Sequence, residues 1–282
     1  MINKMLGIAP QKEPDMSYKP SKLAIKLSTS KVTNYSKPTS QEIDLHSKIL
    51  VICTQEKNME MKNGRLFSTG NHPVETLLPM LHLYHAGYDF EIATPTGEPV
   101  CLEMWAFPED DCHVNKIYNR YKDKFISPQS LHDIAQHNSM NDYAAIFIPG
   151  GHGAALGLPH NADLKMVLLD ALQTNTHIIS LCHGPAALLS LAINENEYAF
   201  KNYNMAVFPD STDNLLPFIG YLPGKMPLAL NAKLKELGVN IVNTKADDTV
   251  CVDRLLITGA SPLAADRLGK KAVSVLSFTK KG

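Results

Sequence analysis

Short solid apolar runs alternate along the chain with longer stretches of helical spacing. Lys48-Ile-Leu-Val-Ile-Cys53 is a solid run of the length and composition of a strand buried on both faces. A helix is predicted from Pro73 to His85, stopping at Gly87, a C′ glycine. Asp89 to Thr94 reads as a second strand, alternating in polarity. The rhythm resumes with a strand from Tyr143 to Pro149, a helix from Asn161 to Gln173, a strand from His177 to Leu181 and a helix from Pro185 to Ala192. Further strands are predicted at Asn204–Phe208, Val239–Val242 and Leu255–Thr258, with helices at Leu228–Leu237 and Ala264–Ser277. Strands alternating with helices imply an α/β fold, a parallel sheet covered on both faces.

Two regions depart from this rhythm. Residues 1–45 are rich in Lys, Ser and Pro without a sustained apolar period, and read as an extended arm that is ordered by lying on the body, residues 46–282, or on a second subunit. Residues 95–140 carry Trp105, the acidic run Glu109-Asp110-Asp111 and a polar helical stretch from Val114 to Phe125, and read as an inserted subdomain.

Composition narrows the function classes. With 27 basic and 28 acidic residues in 282, no global field draws the chain to nucleic acid or to a membrane surface. No apolar run approaches the roughly 20 residues that span a bilayer, and Met1 to Pro10 lacks the pattern of a secretory signal. The five cysteines, Cys53, Cys101, Cys112, Cys182 and Cys251, are scattered and form no C-x-x-C pair. A reducing, cytoplasmic setting is expected rather than a disulfide framework or zinc knuckle.

The strongest chemical signal is Ile178-Ile-Ser-Leu-Cys182-His183-Gly184-Pro185. An apolar strand ends, a cysteine follows at once, and a helix begins. Open α/β folds place ligands at this carboxyl edge of the sheet. The helix N-terminus is expected to lower the thiol pKa and make Cys182 the reactive thiol; the other four cysteines lack that setting. Pro149-Gly150-Gly151-His152-Gly153 follows another strand, and its backbone N–H groups could serve as oxyanion donors. It lacks the Lys-Ser/Thr of a phosphate loop, and Leu156 breaks the dinucleotide fingerprint. Glu75, near the start of its helix, reads by itself as an acid complementing the helix dipole. In Phe208-Pro-Asp210-Ser-Thr-Asp213 either carboxylate could orient an imidazole. His82 and His85 with Asp89, and the cluster from Glu109 to His113, are rich in ligand types but lack the spacing of a known metal motif.

Taken together, these passages resemble the ThiJ/PfpI superfamily, and closely its HchA-type branch of stress-response holding chaperones with glyoxalase III and deglycase activity. The match lies in Gly64 to Pro79, Ala145 to Gly153, Ser180 to Ala187, Phe208 to Asp213, Ile219 to Gly224 and Leu256 to Pro262. The resemblance implies a flavodoxin-like three-layer sandwich with a smaller subdomain, and a homodimer. It implies Cys182 as nucleophile, His183 as its partner, Asp213 as the triad acid, Glu75 as the carboxylic acid touching the thiol, and oxyanion donors at Gly151 and His183. Branch members can carry a metal on two histidines and a carboxylate. Here those positions are Tyr84, Asp89 and Tyr121, and His85 is turned about a hundred degrees off that helix face, so neither metal nor other cofactor is expected.

The expected chemistry is conversion of a 2-oxoaldehyde, methylglyoxal, to lactate through a thioester on Cys182, with Glu75 moving the proton and remaining protonated beside the thiolate. Early glycation adducts on proteins are a second substrate class. The rivals are a holding chaperone for unfolded chains and a cysteine peptidase or amidase using Cys182, His183 and Asp213.

Overall fold

The computed structural model describes residues 7–36 and 47–279; the rest of the predicted arm, residues 1–6 and 37–45, lies outside them. In the arm, β1 (Gln11–Lys12) and β2 (Tyr18–Lys19) pair antiparallel, and α1 (Lys22–Ser28) follows. The Ser21 hydroxyl caps α1 by accepting from the Ala24 N–H at 3.1 Å. This helix was not expected from the sequence. Seven residues are too few for a helix stable by itself; tertiary burial of Ala24 and contact with the body supply what local propensity does not.

The body's first strand, β3 (Lys48–Ile52), is the hub of the main sheet. Next come β4 (Asn58–Glu60), β5 (Leu66–Ser68), α2 (Pro73–His85) and β6 (Asp89–Thr94). Residues 95–140 contain α3 (Cys112–Ile126), β7 (Gln129–Ser130) and α4 (Leu131–His137). After them run β8 (Tyr143–Ile148), α5 (Ala162–Gln173), β9 (His177–Leu181), β10 (Asn204–Met205), α6 (Leu230–Glu236), β11 (Asn240–Ile241), β12 (Val250–Asp253), β13 (Leu256–Gly259) and α7 (Ala265–Thr279).

Seven strands form the central sheet in the order β12-β13-β9-β8-β3-β6-β7, parallel except for β12. The solid apolar runs of the central strands β3 and β8 are explained by burial on both faces. Leu50, Ile52, Ile146, Ile148 and Ile178 face a layer containing α4, α5 and α6. Ile49, Val51, Phe147, Ile179 and Leu181 face α2, α3 and α7. The sandwich is therefore three layers deep. Residues 95–140 contribute to both layers and extend the sheet: Val114, Ile117 and Phe125 of α3 join one core, and Leu131 and Ile134 of α4 the other.

A second sheet, β1-β2-β5-β4, unites the arm with the body. Met59 and Phe67 pack there with Ala24, Tyr221, Leu222 and Met226. The arm is held further by the acidic run: Asp111 accepts from the Thr33 N–H at 2.9 Å and hydroxyl at 2.5 Å, and Glu109 pairs with Lys31.

Two predicted strands are shorter than expected and lie outside the central sheet. The runs at Asn204–Phe208 and Val239–Val242 yield only β10 and β11, which pair with each other. Side chains take the donors that would have continued the ladder: Ala206 N–H bonds the Thr258 hydroxyl and Val207 N–H the Asn243 carbonyl. Edge strand β12, turning through Arg254 at φ 53°, completes the hairpin with β13. The segment Gly184–Ala192 is a 3-10 helix rather than an α-helix.

Candidate active site

Cys182 stands directly after β9 with φ 61°, a left-handed conformation that costs on the order of 1–3 kcal/mol for a residue with a Cβ. The strain is overdetermined by its neighbours. The Cys182 N–H bonds Gly259 O at 2.8 Å, and its carbonyl accepts from Phe208 N–H at 3.0 Å. This elbow turns the thiol off the sheet edge into a cavity of about 260 Å³. Leu27 and Ser28 of the arm, His72, Glu75, Glu103, Gly151, His152 and Tyr221 line that cavity with Cys182.

The glycine loop makes room for these groups. A Cβ on Gly150 would lie 1.9 Å from Glu75 Oε2 and 2.8 Å from Cys182 Cβ, so only glycine lets the acid and the thiol meet. Gly151, at φ 102°, would place a Cβ 2.4 Å from Gly70 O and His72 N. A side chain at either position is excluded by backbone or by Glu75 and Cys182 themselves.

Cys182 Sγ is 3.4 Å from His183 Nδ1, and His183 Nε2 is 2.9 Å from Asp213 Oδ2. A carboxylate can only accept, so Nε2 carries the hydrogen and Nδ1 is left to take the thiol proton. Asp213 belongs to a short helical turn, Asp210–Asp213. The other candidate, Asp210, points elsewhere: it accepts from the backbone of Asn231 and Ala232 at the start of α6. Burial pushes the Asp213 carboxyl up, but the charge of His183 and hydrogen bonds from both neighbouring imidazoles outweigh it and hold Asp213 well below the ordinary carboxylate range.

Glu75 lies in the first turn of α2, 1% exposed. Burial, joined by the charge of Glu103, pushes it well above its ordinary range, more than its interactions with Cys182 and the Gly151 N–H pull it down. Burial therefore favours its neutral, protonated form. The expected lowering of the Cys182 thiol is not met. Burial and then the carboxylates of Glu75 and Asp213 push it well up, and the His183 N–H offsets only part. The helix that follows is 3-10, with a poorer alignment of peptide dipoles than an α-helix. Glu75 and the thiol are best treated as one coupled acid. The first proton off leaves an anion stabilised by the other's remaining hydrogen, and the second ionisation is strongly opposed. Of the two backbone donors expected at an oxyanion site, the Gly151 N–H faces the Glu75 carboxyl and the His183 N–H faces the sulfur.

Three cavity residues were not singled out from the sequence as side-chain chemistry. His152 Nε2 is 3.2 Å from Asp213 Oδ1, so one carboxylate serves two imidazoles. His72 is buried and pushed down to about 3 by burial and His152. Glu103, 2% exposed, accepts from the Thr69 hydroxyl at 2.7 Å. Burial pushes it up to about 7, against the pull of His152 and Thr69. The one signal that could have found Glu103 is a single acid within the apolar stretch Val100 to Phe107, inside the segment read as an insertion.

His152, His183 and Asp213 also form a set whose ligand atoms lie within 4.8 Å, all buried. Both carboxylate oxygens are already engaged by the imidazoles, so a cation there would have to break those hydrogen bonds. At the three positions where the resemblance would place a metal set, the Tyr121 hydroxyl donates to Asp89 at 2.6 Å, Lys124 approaches Asp89 at 3.6 Å, and Arg120 lies over the Tyr84 ring. Phenols and cations there suit a carboxylate, not a metal ion. His82 is committed to Asp266 at 2.8 Å, and His85 to the Tyr35 hydroxyl.

Cys53 and Cys101 are raised by burial, Cys101 to about 11, and Cys251 is raised likewise. Cys112 differs from the sequence expectation: it is exposed and opens α3. No helix among the described residues is long and apolar enough to cross a membrane.

Residues 66–275 match the DJ-1/PfpI family. A Pseudomonas aeruginosa protein named protein/nucleic acid deglycase HchA is 47% identical over 234 residues, 81% of this chain and 80% of that protein. An Escherichia coli O157:H7 protein of the same name is 42% identical over 264 residues, 92% of this chain and 91% of that protein. Among solved structures, the glyoxalase III of Candida albicans shares the fold at a TM-score of 0.64, with 21% identity over 84% of this chain and 98% of that one.

Proposed function

The chain belongs to the DJ-1/PfpI family, and from that premise we propose that it is a cysteine-dependent glyoxalase III and deglycase, working without a cofactor on 2-oxoaldehydes and on early glycation adducts of proteins. One observation carries the reading: a strained Cys182 and the buried carboxyl of Glu75 line one cavity, and the thiol is within 3.4 Å of the His183 imidazole that Asp213 holds. The deglycase half is supported by the name of relatives 42% and 47% identical over most of the chain.

With methylglyoxal, His183 Nδ1 takes the thiol proton as Sγ adds to the aldehyde carbon C1. Glu75 gives its proton to the carbonyl oxygen, forming the hemithioacetal. The Glu75 carboxylate then removes the hydrogen from C1 and returns it to C2, while the O1 hydrogen passes to O2. The product of these steps is a lactoyl thioester on Cys182. General acid–base transfer of this kind is typically worth 10²–10⁴-fold. Asp213 holds the His183 ring and stabilises the imidazolium that forms. Hydrolysis of the thioester releases lactate and resets the thiol.

A cysteine peptidase would use the same three residues but has no need of an acid against the sulfur. A second activity, holding of unfolded chains, is favoured by exposed apolar side chains: Leu27 and Leu263 line the cavity, and Leu215 and Phe218 flank the segment that contains its Leu216. The proposal includes a cytoplasmic homodimer, which sedimentation and cell fractionation would test. The activity itself is tested by lactate formation from methylglyoxal without glutathione. Wild type should turn over and Cys182→Ser should not, while suppression of client aggregation should survive the substitution. Equal lactate formation by the two proteins would overturn the enzymatic reading.

A further inference from the structure

The isomerisation above gives the aldehyde oxygen O1 a donor, Glu75. It gives the second carbonyl oxygen, O2, none, although negative charge gathers there as hydrogen leaves C1. We infer that the Tyr221 hydroxyl is that donor, a further catalytic residue that hydrogen-bonds O2 of a 2-oxoaldehyde and binds it more strongly as the enediolate forms. The inference deepens the proposed function and rests on it.

Tyr221 is 8% exposed and lines the cavity with Cys182 and Glu75. Its ring is fixed from several sides. Trp105 meets it edge-on with centroids 5.6 Å apart, and Phe67 and His152 lie at 6.1 and 5.8 Å. Trp105 is itself tied to Ser68 O at 3.3 Å. The backbone is fixed as well. The Tyr221 N–H bonds Leu216 O at 3.0 Å across a turn that ends at Gly220, φ 68°. A Cβ on Gly220 would lie 1.6 Å from Ile8 O, and Gly220 O accepts from the Ser21 N–H at 2.8 Å, so the arm packs directly on this turn.

The ring thus belongs to the apolar cluster of Met59, Phe67 and Leu222, while its hydroxyl has no hydrogen-bond partner among the described residues. Unlike the unpartnered oxygens of Glu75 and Glu103, the hydroxyl keeps accessible surface. A buried phenol ordinarily finds a partner, and the space left for one here is the cavity. Burial, joined by the charges of Glu103, Cys182, Glu75 and Asp213, pushes the phenol well up, so it stays a donor even beside a thiolate.

The other donors in these walls are committed. The Gly151 N–H faces Glu75 and the His183 N–H the sulfur. The hydroxyls of Ser28 and Ser261 donate to Ala24 O at 2.8 Å and Asp247 O at 2.7 Å. His152 gives its Nε2 hydrogen to Asp213. Thr212 and His72 remain. No hydrogen bond fixes the half-buried Thr212 hydroxyl. His72 is pushed down to about 3 by burial, so it holds one ring hydrogen, and its Nδ1 has the Glu75 carboxyl 3.9 Å away to draw it. Tyr221 itself ends the cycle unchanged: the C1 hydrogen still travels through Glu75 to C2, and O2 takes the O1 hydrogen.

Tyr221→Phe keeps the ring in its cluster and removes the hydroxyl alone. Lactate formation from methylglyoxal should fall about 10²–10³-fold, while iodoacetamide alkylates Cys182 at the wild-type rate. The residual turnover should slow several-fold when C1 of methylglyoxal carries deuterium, because removal of that hydrogen limits the variant. Turnover within about tenfold of wild type would overturn the assignment, and so would a residual rate insensitive to deuterium. Thr212→Val and His72→Gln should each stay faster than Tyr221→Phe; either one falling below it would overturn the assignment too. Should Tyr221→Phe misfold, a fluorinated tyrosine at position 221 decides. Its more acidic phenol should lose turnover at a lower alkaline pH than wild type, and an unchanged pH profile would overturn the inference. Wild type forming no lactate would overturn the proposed function, whereas equal lactate from wild type and Tyr221→Phe would overturn this assignment alone.

Discussion

His152 lies over His183 with ring centroids 4.2 Å apart, and the two imidazoles grip opposite oxygens of Asp213. Two donors on one buried carboxylate fix the His183 ring more firmly than one would. Asp213→Asn replaces one acceptor oxygen by an NH₂ group, which cannot accept from an imidazole N–H. Turnover should fall by roughly 10²-fold, less than on removal of Cys182. Asp210→Ala should instead keep activity within a few-fold of wild type and lose about 1 kcal/mol of stability, because Asp210 serves the start of α6. Steady-state rates and urea unfolding of both variants check this. A crippled Asp210 variant beside an active Asp213 variant would reverse the assignment.

Glu75→Gln should leave the thiol within reach of a small alkylating agent, since the amide still donates to sulfur. It cannot accept the C1 hydrogen, so lactate formation should drop at least a hundredfold. Retention of more than about a tenth of wild-type turnover would remove Glu75 from the proton transfer.

Two thiols should label readily, for different reasons. Cys112 is exposed at the first position of α3, whereas Cys182 is buried but opens onto the cavity. A small iodoacetamide should modify both, and a bulky maleimide mainly Cys112. Activity should follow modification of Cys182 alone. Peptide mapping against residual turnover makes the comparison, and activity tracking Cys112 would count against the site.

Glu103→Gln should stabilise the fold at alkaline pH. The folded protein raises this carboxyl from its ordinary range to about 7. Below the unfolded value both states carry the proton, and nothing is lost. As pH rises toward 7 the unfolded chain releases the proton while the folded one retains it, so stability falls. The deficit above pH 7 is on the order of 3 kcal/mol. Thermal unfolding of the two proteins should nearly coincide near pH 4 and separate by pH 8, the variant melting higher. A variant less stable than wild type at pH 8 would contradict this account.

Much of the sandwich was legible because strands buried on both faces are largely apolar, as in Ile49 to Cys53 and Ala145 to Ile148. The elbow at Cys182 was legible from local sequence: strand end, cysteine and glycine are adjacent. What was not legible depends on distant partners. The helix α1 is seven residues long and needs the body beneath it. Asn204–Phe208 has strand-like residues, but the side chains of Thr258 and Asn243 claim its donors. Glu103 and His152 meet Cys182 only through folding of loops 30 to 80 residues away in sequence. The thiol's electrostatics were misjudged because a helix N-terminus can be read from sequence, whereas burial beside two carboxylates cannot.

The central claim is covalent catalysis by Cys182 without metal, and it is tested most directly by the mass of the protein during turnover. Chelator-treated wild type, mixed with methylglyoxal and quenched in acid within its first turnovers, should carry a lactoyl group on the peptide containing Cys182, lost again as substrate is exhausted. Cys182→Ser, treated identically, should carry none there and form no lactate. Lactate production by wild type with the group absent from Cys182, or activity that vanishes on chelation and returns with zinc, would contradict the account.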